Sequence, residues 1–554
     1  MTIAERADPA QDIAPRDPDR VMRLSRMGSA HPMRLSFLRV LLRRMQAEGW
    51  RFDRPLWEMD ARGTGRAVYR ARGPERSYCL VAFAHDLPDE MRSDRVIATA
   101  WDATFALVDG EPDAADLDRL AANVPLQEAG RISAKELSLS RANRSVRLFS
   151  HVVDRLAQGQ QPDRAEIDAV GYLMRTTAVY GSGKFGAADR DCIAARPELK
   201  APFQAEMLSV WLTRAFTVDI AEHLAQVRGG ARAVRMDRAL RRRLGVGNST
   251  GLGMAPFLVR HPRLLNNWMT VRETALARVR ALPSADGAAR AAFRQALAGA
   301  QENATLWHSD HPAQIRKLDM LRHDLDILAT HVDHVWTPAA PRPWDALWRW
   351  GEGVLSEEGQ ECLLSLLLEP HGAVVDDLAD GLDADEETGF PLDGSLPLAT
   401  LRAILARDYG WVRAFDFADP ARSARFWYVS EEKLEPRLGN RHEEAGQERE
   451  QPLGIARAIA ALAAALAAFP EGATLAAFLL RHPEHRHTAR RLLMLRGLPY
   501  AEIRDNLLDA AMLPIDILRC KLAFFGATRF DPRSDRWVRI SLFQGQPYPD
   551  ELGA

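Results

Sequence analysis

The stretch GVGNSTGLGM, residues 245–254, has the residue types and spacing for ligand chemistry. Its four glycines can bring several backbone N–H groups close to one anion, and a following helix start adds partial positive charge. The stretch therefore predicts a flexible loop that binds a phosphate or a carboxylate. The residues predicted to bind the ligand are Gly245, Gly247, Asn248, Ser249, Thr250 and Gly251. The alternative is a helix–helix linker in which glycines allow close packing.

A second glycine-rich stretch, YGSGKFGAADRD, covers residues 180–191. A lysine between glycines can approach an anion, or act as a base where it is desolvated. We therefore predict Tyr180 and Lys184 as catalytic residues, and Gly181, Ser182 and Gly183 as ligand-binding residues. The alternative is a turn that ends a helix and leaves the lysine solvated.

The segment LSRANRSVRLFSHVVD, residues 139–154, adds positive charge. It places Arg141, Arg144 and Arg147 at spacings of three, which on a helix gives one basic side. Three guanidinium groups could hold an anion through paired hydrogen bonds. The alternative is a solvated basic face whose acidic partners come from elsewhere in the chain.

Two histidine-rich segments, residues 308–334 and 481–491, contain residue types that bind metals. The first has no HExxH motif, and its Asp and His residues are also typical of a solvated helix face. In the second, His482 repeats the position of His261 in a similar RHP sequence, which favours a structural role at a helix start. We therefore predict no metal site, and the sequence identifies no cofactor.

Composition limits the class of protein. The chain has 554 residues, 47% of them apolar, and a formal charge of −2, so bulk charge does not favour nucleic acid or an anionic membrane. The first 20 residues lack the apolar core of a secretory signal. The most apolar stretch, residues 455–469, is short, rich in alanine and contains Arg457. Four widely separated cysteines without a CxxC pair favour a reduced, cytoplasmic protein.

The apolar spacing predicts a mostly α-helical, multi-domain fold with small β-hairpin and sheet elements. Long helices are predicted at 33–46, 204–227 and 314–336, and strands at 66–72, 77–84, 95–108, 425–429 and 536–543. The predicted organisation is a disordered tail (1–20), an α+β region with a hairpin (21–130), a helical domain with the glycine-rich loops (131–336), and an α-rich C-terminal domain (344–554).

The chain also contains an internal echo, by which we mean two pairs of similar sequences. VVDRLAQG at Val152 resembles VVDDLADG at Val374, and GLGMAPFLVRHP at Gly251 resembles GATLAAFLLRHP at Gly472, with nearly the same separation. The echo is consistent with two diverged copies of one α-rich domain. The second copy lacks the GVGNST sequence, which favours the first half as the functional one.

These features lead to one main hypothesis for function. The chain is expected to be a cytoplasmic enzyme whose substrate is a small anionic molecule, either a carboxylate, a phosphorylated compound or a CoA-linked one. The first alternative is a winged-helix-like protein that binds nucleic acid or another protein through residues 497–540, with phosphate contacts from the basic run 234–245. The second is a helical scaffold without catalysis. The sequence gives neither the reaction nor the oligomeric state.

Overall fold

The structure is a computed structural model. It describes residues 13–88, 100–126, 130–176, 193, 195–250, 262–309, 312–382, 390–417, 425–430, 433–438, 452–503, 514–531 and 538–552. The chain divides into two compact units, each assembled from segments that are distant in sequence. Unit 1 contains residues 1–29, 251–292 and 330–520, and unit 2 contains residues 30–250, 293–329 and 521–554.

Helices dominate the described part of the chain. In the first half they are α1 (Pro18–Val21), α2 (Leu24–Met27), α3 (Phe37–Ala47), α4 (Ala114–Asn123), α5 (Phe149–Ala157), α6 (Arg164–Val170), α7 (Gln204–Gly229), α8 (Arg238–Arg242) and α9 (Pro262–Arg280). The later ones are α10 (Gly287–Thr305), α11 (Pro312–His334), α12 (Pro343–Val354), α13 (Glu357–Leu368), α14 (Gly372–Val375), α15 (Leu398–Asp408), α16 (Gly410–Arg413), α17 (Pro452–Ala467), α18 (Leu475–Arg481), α19 (Arg486–Met494), α20 (Pro514–Phe525) and α21 (Pro549–Leu552). None of the described helices is long and apolar enough to cross a membrane.

The strands are β1 (Arg51–Met59), β2 (Gly65–Arg72), β3 (Ser77–Ala84), β4 (Ala103–Asp109), β5 (Glu136–Arg144), β6 (Tyr172–Thr176), β7 (Gly245–Thr250), β8 (Arg425–Ser430), β9 (Lys433–Leu438), β10 (Arg529–Asp531) and β11 (Val538–Leu542). Nine of these described strands form one sheet in unit 2, in the order β1-β2-β3-β4-β5-β6-β7-β11-β10. Within this sheet β6 and β7 pair in parallel, and the other neighbours pair antiparallel. The prediction of a mostly helical chain with sheet elements is confirmed.

Unit 2 is built around helix α7, which packs across one face of the sheet. The ring of Phe216 meets Phe105 of β4 edge to face, with centroids 5.3 Å apart. The ring of Trp211 meets Phe52 of β1 in the same way, at 4.8 Å. On the other face, apolar side chains of β2 to β5 pack against Leu120 of α4. Because α7 is covered by the sheet on one side and by α5 on another, most of its side chains are buried.

Unit 1 is mainly helical in its described part. Helices α15 to α19 share one apolar cluster that includes Leu401, Leu462 and Phe478. A separate group of buried charges joins Arg16 to Glu273 of α9 and Glu361 of α13. The tail predicted to be disordered over residues 1–20 therefore differs from the structure from residue 13 onward, because Arg16 is held by two buried carboxylates. Residues 1–12 lie outside the described part.

Two local predictions are wrong. Residues 139–144, expected to be helical, belong to strand β5, and the helical spacing that follows belongs to α5, which begins at Phe149. Residues 245–250, expected to be a loop, form strand β7. A Cβ on Gly245 would lie 2.4 Å from the carbonyl oxygen of Leu542, and one on Gly247 would lie 2.8 Å from the ring of Tyr172. These glycines therefore allow close packing, but between strands and not between helices.

Some of the other predictions about the organisation of the chain are confirmed, and others are not tested by the structure. The long helices and the β2–β3 hairpin, closed by a hydrogen bond from the Gly73 N–H to the Arg76 carbonyl oxygen, are confirmed. The internal duplication, the domain boundaries and the cytoplasmic location stay predictions.

Candidate active site

A cleft of about 540 Å³ lies within unit 2 along helix α7. Its walls come from β1 and β2, from one side of α7, from residues 233–236, and from the chain near Tyr548. The wall carries aromatic surface together with several ionisable groups, which is the composition expected of a small-molecule site.

Helix α7 contributes a polar stripe to this wall. Asp219, Glu222, His223 and Gln226 all line the cleft, and their spacing of three, four and seven residues places them on one side of the helix. Opposite them, β1 presents Arg54 and Trp57. Pairing of β1 with β2 shifts register between Asp53 and Leu56, and such irregularities re-aim side chains at a strand.

Asp219 is held by two side chains of the neighbouring strands. Its Oδ2 accepts hydrogen bonds of 2.7 Å from Tyr69 Oη and of 2.7 Å from Arg54 Nη1. The Arg54 guanidinium also stacks over Trp57, 4.3 Å from the ring centroid. Burial nevertheless raises the pKa of Asp219, because it outweighs the hydrogen bond from Tyr69 and the charge of Arg54. Burial and the Asp219 charge raise the pKa of Tyr69 well above its usual value.

Glu222 lies one helical turn beyond Asp219. Its Oε1 accepts a 3.0 Å hydrogen bond from the Met236 backbone N–H, and its Oε2 lies 3.9 Å from Nε of the exposed Arg235. The pKa of Glu222 is raised, first by burial and further by the neighbouring Asp219 carboxylate. A carboxyl group with a raised pKa in a cleft is a candidate for proton transfer, because its pKa has moved toward neutral pH.

His223 adds a second group able to carry a proton. Its Nε2 lies 2.8 Å from the carbonyl oxygen of Asp60. A carbonyl oxygen only accepts hydrogen bonds, so Nε2 carries the proton in this contact and Nδ1 is the acceptor of the neutral ring. The imidazole also meets the Trp57 ring edge to face, with centroids 5.8 Å apart.

Another part of the cleft wall consists of charged groups that pair with one another. Arg241 Nη2 donates to both carboxylate oxygens of Asp550, at 2.8 and 2.6 Å, and its guanidinium lies 4.4 Å from the Tyr548 ring centroid. Tyr548 Oη donates to the Arg241 carbonyl oxygen at 3.0 Å. The guanidinium groups of Arg54 and Arg241 are therefore both neutralised by carboxylates, and the cleft is rich in hydrogen-bond acceptors.

The glycine-rich stretches predicted to bind an anion are only partly described. Tyr180, Gly181, Ser182, Gly183, Lys184 and Gly251 lie outside the described residues. Gly245, Gly247, Asn248, Ser249 and Thr250 lie in β7, away from the cleft lining. The buried Asn248 donates its side-chain N–H to the Thr176 carbonyl oxygen at 3.2 Å, a contact that ties β7 to β6.

The three predicted arginines are not brought together as one clamp. In a strand, a spacing of three places side chains on opposite faces, which separates Arg141 from Arg144. The guanidinium of Arg141 lies 4.3 Å from the Trp101 ring centroid, while that of Arg144 lies 4.7 Å from the ring of Phe149. Arg147 follows the strand and is exposed.

Sequence reasoning missed Arg175, which lies on β6 opposite Asn143 of β5 and hence on the same face as Arg141. It also missed the α7 stripe, although the helical spacing of its four polar residues was a usable signal. The basic run at 234–245 is paired with acids: Arg241 contacts Asp550, Arg242 contacts Glu551, and Arg243 contacts Asp168.

Comparison of the chain with known protein families, with curated proteins and with solved structures found no match. Function is therefore inferred from the residues of the chain alone.

Proposed function

We propose that this protein is an enzyme whose α7 cleft transfers a proton to or from a small bound molecule, with Glu222 as the catalytic acid or base. One observation carries the proposal. Two carboxyl groups one helical turn apart line the same cleft, and burial raises the pKa of both. Carboxyl groups that are merely structural usually have lowered pKa values, because they are fully paired.

Asp219 would serve as a fixed hydrogen-bond acceptor for the ligand. Arg54 and Tyr69 hold one of its oxygens, so the carboxylate keeps its orientation while Glu222 changes protonation state. The aromatic face of Trp57 and the ring of His223 form an adjoining wall. This division between one held carboxylate and one that titrates is a common arrangement in acid–base sites.

The ligand expected in this cleft carries several hydrogen-bond donors, as a polyol or an amine does. Asp219, Glu222 and Asp550 offer oxygen acceptors, whereas the guanidinium groups of Arg54 and Arg241 are engaged by carboxylates. An anion entering the cleft would meet these carboxylates, while Arg54 and Arg241 already pair with carboxylates and the exposed Arg235 lies 3.9 Å from Glu222. Donor-rich neutral molecules and cations therefore match the wall better than anions do.

A ligand screen by thermal melting tests the proposal. The panel contains polyols, amines, carboxylates, sugar and nucleotide phosphates and CoA esters, because a ligand well above its Kd raises the Tm. For a compound that raises the Tm of the native chain, conversion is then measured. Glu222→Gln should retain the shift and lower turnover by about 10² to 10⁴, the usual contribution of a general acid or base.

Glu166→Gln is the matched control, since Glu166 makes the same charge change at an exposed position of α6. It should leave both the shift and turnover unchanged. If Glu222→Gln turned over the ligand at the native rate, the acid–base role would be rejected. If no polyol or amine raised the Tm, the ligand class would be rejected.

The anionic substrate expected from the sequence remains a second candidate, at a different place in unit 2. One observation favours it: β6 and β7 are adjacent and parallel, so they end at the same edge of the sheet, where Arg175 and Thr176 lie. Ligands of sheets with parallel strands commonly bind at the carboxyl ends of those strands. In the same screen, a shift by an anion that Lys184→Ala and Asn248→Ala remove would support this site. A shift unchanged by both would reject it.

A further inference from the structure

Three side chains of residue types that can bind metals lie close together in unit 1, outside the proposed active site. They are His482, Glu484 and His485, and their ligand atoms all lie within 4.8 Å of one another. His482 Nδ1 lies 3.1 Å from Glu484 Oε1, and His485 Nε2 lies 3.8 Å from the same oxygen.

The backbone explains why these side chains meet. Helix α18 ends at Arg481, and a short 3₁₀ turn, Pro483–His485, leads into α19. His482 directly precedes this turn and His485 ends it, and their rings lie with centroids 6.0 Å apart. The N–H of His485 donates to the carbonyl oxygen of His482 at 3.2 Å and fixes the turn.

Aromatic packing holds the two imidazoles in place. The ring of His485 is nearly parallel to that of Phe478, with centroids 5.9 Å apart, and the ring of His482 lies 5.0 Å from it. His485 is mostly buried, whereas the Glu484 side chain is 60% exposed. The cluster therefore has a preorganised inner side and an outer side that an ion can reach.

The distances suit a small divalent ion. Ligand atoms about 2.0–2.2 Å from a tetrahedral zinc ion lie about 3.3–3.6 Å from one another. The separations from Glu484 Oε1, 3.1 and 3.8 Å, lie on either side of that range, and all three ligand atoms lie within 4.8 Å of one another, so rotations of the side chains can bring them to one ion. Two histidines and one glutamate form a known catalytic zinc ligand set, in which the fourth position is open to water.

The two similar RHP segments of the chain differ in these candidate ligands. The sequence HPEH at residues 482–485 corresponds to HPRL at residues 261–264, which keeps the first histidine but has neither the carboxylate nor the second histidine. A histidine needed only to begin a helix would not require Glu484 and His485. Their presence in one of the two similar sequences is consistent with an added role.

We propose that His482, Glu484 and His485 bind a divalent transition metal ion of the zinc type, with a fourth coordination position facing solvent. Magnesium is not expected to bind here, because this hard cation prefers six oxygen ligands. Binding replaces the hydrogen bond between His482 and Glu484 by two metal–ligand bonds, and any proton on the ligating nitrogens is released to solvent.

Isothermal titration of the chelator-treated full chain with zinc chloride tests this site. The native chain should bind zinc, and His482→Ala and Glu484→Gln should each weaken binding at this site at least tenfold. These two positions are chosen because their side chains are 35% and 60% exposed, and Glu484→Gln keeps the size of the side chain. His487→Ala is the matched control, since His487 lies two residues beyond the cluster on α19, and it should bind as the native chain does.

Cobalt(II) gives a second readout, because its visible absorption distinguishes four-coordinate from six-coordinate sites. The native chain and His487→Ala should give the four-coordinate spectrum, and the double variant His482→Ala/Glu484→Gln should not. The proposal would be overturned if that double variant bound zinc as tightly as the native chain, or if magnesium at the same concentration displaced zinc.

Discussion

Glu273 in unit 1 is buried and Asp219 in unit 2 is partly buried, and both hydrogen-bond to arginine, yet their pKa values move in opposite directions. Burial alone would raise both. At Glu273 the charges of Arg16 and Arg272 overcome burial and lower the pKa to about 2. At Asp219 the charge of Arg54 and the hydrogen bond from Tyr69 do not overcome burial, and the pKa is raised.

The number of cations explains the difference. Arg16 donates to Glu273 at 2.7 and 2.9 Å, and Arg272 donates to it at 2.9 and 2.7 Å. Arg16 also pairs with Glu361, which extends the buried ionic network. The pKa of Glu273 thus lies well below its usual value, whereas the pKa values of Asp219 and Glu222 in the α7 cleft are raised. A buried ionic group is therefore a candidate for chemistry only where its pairing is incomplete.

The largest expected effect comes from Glu273→Gln, which leaves the buried Arg16 and Arg272 to share Glu361 as their remaining carboxylate partner. Breaking a buried pair in this way costs about 3–5 kcal/mol of unfolding free energy. Because the folded pKa is lowered from 4.5 to about 2, the stabilisation is complete above pH 4.5 and is lost as the pH falls toward 2. Denaturant unfolding of native and variant chains at pH 7 and pH 3 measures this difference.

Glu471→Gln supplies the control for that comparison, because Glu471 is exposed in the same unit. It should change the unfolding free energy by less than about 0.5 kcal/mol, as surface substitutions usually do. A loss at Glu273→Gln no larger than that of Glu471→Gln would mean that the two arginines find other partners, and the contrast with Asp219 would disappear.

A smaller effect is expected from the two tyrosines of these regions. Tyr69 donates to the carboxylate of Asp219, whereas Tyr500 donates to the backbone carbonyl oxygen of Arg16, both at 2.7 Å. Hydrogen bonds to charged groups contribute about 1.5–3 kcal/mol and those between neutral groups about 0.5–1.5 kcal/mol. Tyr69→Phe should therefore destabilise the chain more than Tyr500→Phe at pH 7, as measured by denaturant unfolding.

The two tyrosine variants also test the charge on Asp219. If Asp219 is ionised at pH 7, the excess cost of Tyr69→Phe should shrink at acidic pH, where the carboxyl group is protonated. Equal costs for both variants at pH 7 would indicate that the Asp219 carboxyl group is already neutral there. That outcome would move the catalytic assignment from Glu222 toward the Asp219–Tyr69 pair.

The elements of the fold were predictable where the signal is local. The apolar repeat of 204–227 predicts α7, observed at Gln204–Gly229, and alternation at 66–72 and 77–84 predicts the β2–β3 hairpin. Strand β7 was not predictable, because glycine is rare in strands and Gly245 and Gly247 are there to fit against β6 and β11. That requirement exists only after the sheet has formed.

The candidate site was still harder to predict, because its contacts join residues far apart in the chain. Arg54 and Asp219 are separated by 165 positions, and Tyr69 and Asp219 by 150. No local pattern specifies such pairs. The polar stripe on α7 supplies one wall of the site, and its spacing is visible in the sequence. Another wall comes from β1, whose irregular pairing depends on its partner strand β2.

The smallest expected effect is a gain in stability from Glu222→Gln. Because burial raises the folded pKa of Glu222 above its usual 4.5, the ionised form is disfavoured in the folded chain. Its stabilising contribution is present below pH 4.5 and is lost as the pH rises through the raised value.

Replacing the carboxyl group by a neutral amide should therefore raise the Tm slightly at pH 7, by less than Tyr69→Phe lowers it. The gain should shrink at pH 4, below the usual pKa of 4.5, where the carboxyl group is mostly protonated in both the folded and the unfolded chain. Thermal melts of native, Glu222→Gln and Glu166→Gln chains at the two pH values measure it. A Glu222→Gln chain that is less stable than the native one at pH 7 would mean that the contacts with Met236 and Arg235 hold Glu222 as firmly as Arg16 and Arg272 hold Glu273.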